Sequence, residues 1–76
     1  MKKKTEEIER FEAKNSINGH MTTIIVYQEY NWIDFLSDGD GYWMSTLEFA
    51  VDIDGNKINV RDNKYFTLND EELIRI

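Results

Sequence analysis

Along this 76-residue chain the spacing of apolar residues changes character once, near Gly19. Before it, residues 2–14 read KKKTEEIERFEAK, and only Ile8 and Phe11 form an apolar stripe. The composition favours helix, and Glu6 and Arg10 stand at the i,i+4 separation that supports one. The pattern predicts an N-terminal helix with a stripe too narrow to stand alone in water, so that it must dock or fray. The segment NSING then ends it, with Gly19 placed to take a left-handed conformation.

After Gly19 the pattern turns to β. TTIIVYQEY (22–30) is β-branched and aromatic and predicts a buried strand whose end becomes polar. WIDFL (32–36) is a second short run, DGDG a turn, and YWMSTLEFAVDI (42–53) a long strand. Alternation in that strand assigns Leu47, Phe49, Val51 and Ile53 to the core face, and Thr46, Glu48, Ala50, Asp52 and Asp54 to solvent. VDIDGNKINV reads as a hairpin around Asp54-Gly55-Asn56, with Ile58 and Val60 extending the core face. KYFTL is a further candidate strand. NDEELIRI is open between a terminal helix turn capped by Asn69 and a strand over LIRI.

These elements predict an α+β fold: an N-terminal helix plus a four- to five-stranded antiparallel β-meander, either flat beside the helix or curled into a small barrel. Residues 1–20 would be helix and loop and residues 21–76 the antiparallel β domain, within a single compact domain. The run NGHMTTIIVYQEYNWIDFLSDGDGYW resembles, in its order of strand, polar loop, strand and Asp-Gly turn, the opening of small SH3-like modules. The resemblance implies the barrel.

Length admits one domain, near the size at which a single core only just outweighs chain entropy. Absence of cysteine excludes a disulfide framework and a thiolate metal site, and suits a reducing compartment. The lysines of MKKKTEEIERF are followed by Glu6, Glu7 and Glu9 where an export signal needs apolar residues, and no run approaches membrane-spanning length. A cytoplasmic location is the expectation.

Charge sharpens the picture. The net charge is −6, and from Asn15 through Asn56 the chain has Glu29, Asp34, Asp38, Asp40, Glu48, Asp52 and Asp54 without one Lys or Arg. Such a surface disfavours direct contact with nucleic acid, whose affinity comes from neutralising phosphates. A basic protein surface is its complement. On a strand, Asp52 and Asp54 would project together about 6.6 Å apart, with Glu48 about 13 Å from Asp52 in the same row. With Asp34, Asp38 and Asp40 nearby, that row could imitate a phosphate track. It could equally be the ordinary polar face of an antiparallel sheet. Trp32 and Trp43 flank DGDG and can pair across strands. Ten aromatics nonetheless exceed what so small a core hides, which predicts an exposed anchor patch, including Trp43, rimmed by carboxylates.

Residues for catalysis are sparse. His20 is the lone histidine, with no partner for a transition metal. DIDGN begins like a calcium loop, but Lys57 stands where glycine is needed and Asn63 where the closing glutamate belongs. A Ser-His-Asp arrangement for Ser16, Ser37 or Ser45 would rest wholly on the loop residue His20. No enzyme activity, cofactor or metal is expected. The expected function is that of a small acidic inhibitor that occupies a basic, nucleic-acid-binding surface of another protein. In size, acidity, lack of cysteine and Lys/Asn/Ile-rich composition the chain resembles phage- or mobile-element-encoded inhibitors such as anti-CRISPR and anti-restriction proteins. The alternatives are an SH3-like barrel adaptor binding a peptide through an aromatic groove, and a homodimer burying the aromatic patch.

Overall fold

The computed structural model describes residues 2–35 and 40–76, and among them every regular element is a strand. The order is β1 (Lys3–Asn15), β2 (Met21–Asp34), β3 (Gly41–Asp52), β4 (Lys57–Arg61), β5 (Lys64–Phe66) and β6 (Glu72–Arg75). Each pairs antiparallel with the next, and β6 returns to β1 through Ala13↔Arg75, Lys14↔Ile74 and Asn15↔Leu73, closing a barrel.

The predicted N-terminal helix is therefore a strand, and the fold is all-β rather than α+β. The reason is tertiary. β2 carries the strongest β run in the chain, and β1 pairs with it from Lys3↔Asn31 to Lys14↔Met21. Phe11, Ala13 and Asn15 are buried at alternate positions, a period of two rather than a helical one. Helix propensity differs among these residues by only about 0.7 kcal/mol each, less than burying a Phe in the barrel contributes. A bulge at Ile8 hides the alternation from a reading of the sequence. It also replaces the expected Glu6–Arg10 pair with Arg10–Glu7, 2.8 Å apart.

Strand lengths set the shape. β1, β2 and β3 have 13, 14 and 12 residues, whereas β4, β5 and β6 have 5, 3 and 4. Only a short stretch of the long strands can be enclosed, and the remainder continues as a three-stranded arm. The described residues extend 55 × 19 × 18 Å, and the radius of gyration is 16.0 Å, against about 11 Å for a compact chain of this length.

The barrel interior holds Phe11, Ala13, Ile24, Val26, Ala50, Ile58 and Leu73. Tyr65 packs edge-on against Phe11, with ring centroids 5.0 Å apart. Six strands enclose a narrow lumen, so its middle takes small residues: Ala13 and Ala50 are fully covered. This inverts the expected faces of β3. Ala50 lies inside in register with Val26 and Ile58, while Leu47 and Ile53 are 55% and 56% exposed. Phe49 and Val51 are half-buried on the outside, and Val60 is exposed although Ile58 is core.

TTIIVYQEY and the first three residues of WIDFL join into the single strand β2, which ends at Asp34, and Leu36 lies outside the described residues. NDEELIRI forms β6 rather than a helix turn: Asp70 has φ of 63°, and Thr67 Oγ1 accepts from the N–H groups of Asn69 and Glu71. Gly19 takes the left-handed conformation expected of it, with φ of 74°. Asn15 closes that end of the barrel. Its Oδ1 accepts from Ile17 N at 2.8 Å and Asn18 N at 3.3 Å, and its Nδ2 donates to Glu71 Oε1 at 3.1 Å.

Candidate functional site

The arm is where side chains are left without a core to fill. Register and alternation carry the barrel interior onto its inner face, which bears Lys2 just before β1, Lys4 and Glu6 of β1, Gln28, Tyr30 and Trp32 of β2, and Trp43 and Ser45 of β3. Two bulges, at Ile8 and at Thr46–Leu47 opposite Glu29, keep these rows aligned. Trp32 and Trp43 stand opposite each other as the predicted cross-strand pair, centroids 5.2 Å apart and planes at 71°. Trp32 Nε1 donates to Asp34 Oδ1 at 2.6 Å. The Lys4 ammonium lies 4.5 Å from the Trp43 ring centre and 5.1 Å from that of Tyr30, and 2.8 Å from Glu6 Oε1. Lys2 lies 5.7 Å from the Trp32 ring centre. The inner face is thus an aromatic ladder already holding two ammonium groups of its own chain, through cation–π attraction and a carboxylate.

The outer face is apolar. Tyr27 and Phe49 stack at 5.4 Å, and Phe35 packs on Tyr42 at 5.1 Å. Between these pairs lie Ile33, Met44 and Leu47. Phe35, Tyr42, Met44 and Leu47 are all exposed, and Glu29 sits among them on the same face. Glu7 borders this strip, its carboxyl held below the usual carboxylate range by the hydrogen bond from Arg10.

At the root of the arm the barrel opens into a cleft of about 370 Å³ lined by Val26, Glu48, Phe49, Val60, Asn63 and Tyr65. Arg75 Nη1 pairs with Glu9 Oε2 at 2.6 Å, and its guanidinium lies 4.3 Å from the Phe11 ring centre. Burial and the negative charges of Glu9 and Glu48 push the Tyr65 phenol above its ordinary value, and Arg75 offsets part of this. Among the described residues no three His, Cys, Asp or Glu side chains group as metal ligands would. No helix among them is long and apolar enough to cross a membrane.

The carboxylates singled out in the sequence do not share one row. Asp34 and Asp40 lie with Trp43 in the outer half of the arm, where Phe35 N donates to Asp40 O at 2.7 Å. Glu48 turns into the cleft at the root. Asp52 is half-buried and organises the β3–β4 turn: Oδ1 accepts from the N–H groups of Asp54 and Asn56, and Oδ2 from Asn56 Nδ2. Asp54 lies in that turn, at the opposite end of the barrel from the arm. Asp38 lies outside the described residues. Nor is the acidic span free of basic neighbours, since β1 lays Lys3 against Asn31 and Lys4 against Tyr30.

Sequence reasoning missed Lys2, Lys4 and Glu6, which belong to the aromatic face only because β1 is a strand. It also missed Tyr65, which lines the cleft, and the pair of Glu9 and Arg75, which barrel closure brings together. The signal available for both was the alternation Phe11, Ala13, Asn15. Compared with protein-family models, with the curated proteins and with the solved structures, the chain has no match.

Proposed function

We propose that this chain is a non-enzymatic protein-binding module that sets the outer face of its arm against a basic surface of another protein. The observation that carries this reading is the strip Phe35, Tyr42, Met44 and Leu47, exposed on a face with no covering layer among the described residues, with Glu29 among them and Asp40 beside Phe35. Apolar and aromatic anchors within a polar rim are the anatomy of an interface. The net charge of −6 selects a basic partner and speeds its encounter. An inhibitor that covers a nucleic-acid-binding surface, in the manner of anti-CRISPR and anti-restriction proteins, is the form of this reading most in keeping with the charge. What supports it is the sum of charges and the apolar strip, not a linear track of carboxylates, because Asp52 is engaged in its turn.

The test is capture of partners from host lysate at low salt, followed by elution in a salt gradient and repetition with variants. A basic protein released by moderate salt, lost with Leu47→Lys or Glu29→Lys and retained with Asp54→Lys, supports the reading. A partner indifferent to salt and to both arm substitutions overturns it.

A further inference from the structure

We propose that the free edge of β3 is a self-association site, pairing antiparallel with the same edge of a second copy about a two-fold axis through Trp43. β3 bonds β4 only at Ala50 and Val51, and β1 bonds β6 only from Ala13 to Asn15. Both edges of the arm are therefore open among the described residues. The two edges are not alike. The β1 edge reads KKKTEEIE, dense in charge of both signs, which is how natural proteins keep an edge from pairing. The β3 edge over 41–47 reads GYWMSTL, with no charge and no proline. Such an edge is a template for another strand.

The register follows from the ladder. Phe35 N donates to Asp40 O, so Asp40, Tyr42 and Met44 turn their backbone groups toward β2, and Gly41, Trp43 and Ser45 turn theirs outward. Outward residues must then face outward residues, and the centre that sets Trp43, the middle of the uncharged edge, opposite itself engages all three. With Trp43 opposite its counterpart, Gly41 meets the second copy's Ser45, and Tyr42 meets its Met44 on the outer face. Asp40 falls opposite Thr46, so no like charges are opposed. A two-fold contact of this kind closes on itself. Residues 46–49 separate the seam from the β4 pairing at Ala50, and the antiparallel arrangement sends the barrels to opposite ends. The two outer strips become one continuous apolar face. The second copy is favoured over a basic peptide because this edge carries no acid between Gly41 and Leu47 to select a basic strand.

The chain contains no cysteine, so a single introduced thiol reports on position without background. Sedimentation velocity of the unmodified protein should show a concentration-dependent, salt-resistant monomer–dimer equilibrium. Under mild oxidation the Trp43→Cys variant should form intermolecular disulfides at least an order of magnitude faster than Ser45→Cys, because only residue 43 lies within disulfide reach of its own counterpart. A protein that stays monomeric at every concentration overturns the proposal. So does an open-ended polymer, which pairing of β3 with β1 would produce, or equal crosslinking of the two variants.

Discussion

The indole of Trp32 lies so close over Gly41 that a Cβ on residue 41 would come within 2.8 Å of two of its ring carbons, and the same Cβ would run into the backbone carbonyl oxygen of Ile33. This contact ties β2 to the start of β3 where the arm has no second layer among the described residues, so the arm's order depends on a close approach that only glycine permits. Gly41→Ala should push the Ile33 backbone and the indole aside and destabilise the arm by about 1–3 kcal/mol, the usual cost of overpacking. The effect should be local. Hydrogen exchange should accelerate at residues 30–33 and 42–45 and remain unchanged at the barrel amides of Ile24, Val26 and Ala50.

Asn15 is the buried polar side chain joining the β1–β2 turn to the segment before β6. Asn15→Ala would leave the N–H of Ile17 and the carboxylate of Glu71 without that partner. The expected loss is about 1–3 kcal/mol, a large share of the roughly 4–11 kcal/mol expected for a domain this size. Thermal unfolding should show it plainly, and Asn18→Ala, whose side chain bonds only the neighbouring N–H of His20 at the surface, should cost much less.

Lys4 tests the aromatic ladder. Lys4→Met keeps most of the stem and removes the charge between Tyr30 and Trp43, which should weaken the arm by about 0.5–1 kcal/mol. Tryptophan fluorescence should change with it, since the ammonium lies 4.5 Å from the Trp43 ring centre. Lys3→Met, on the opposite face, should leave the fluorescence as it was. High salt should shrink the difference between Lys4→Met and the parent.

Tyr65 gives a dependence on alkaline pH. Burial, then Glu9 and Glu48, raise its pKa in the folded protein, so the folded state holds the phenolic proton more tightly than the unfolded chain does. The contribution is fully present below the ordinary tyrosine value of about 10 and is lost as pH rises through the folded value. Denaturant midpoints should therefore fall from about pH 10 upward, and Tyr65→Phe should flatten that part of the curve. An equally steep curve for Tyr65→Phe would assign the loss to other groups.

From the sequence alone come the elements whose signal is local. The β-branched run of β2, the alternation in β3, the turn at Gly19 and the Asp54-Gly55-Asn56 hairpin all rest on backbone preferences that act within a few residues. The Trp32–Trp43 pair was equally legible, because the two residues stand opposite each other in neighbouring strands of the chain. Tertiary structure decided the rest. It made β1 a strand, because β2 and β6 supply ladders worth more than the helix propensity of KKKTEEIERFEAK. It chose which side of β3 faces inward, because a six-stranded lumen admits Ala50 where Phe49 would not fit. It dispersed the acidic residues, because Asp34 and Asp40 fall in the arm and Glu48 at its root, while Asp54 lies in the turn that Asp52 holds. Side-chain direction in a sheet has a period of two, so one bulged residue reverses every assignment beyond it, and only closure of the barrel selects which face is inside.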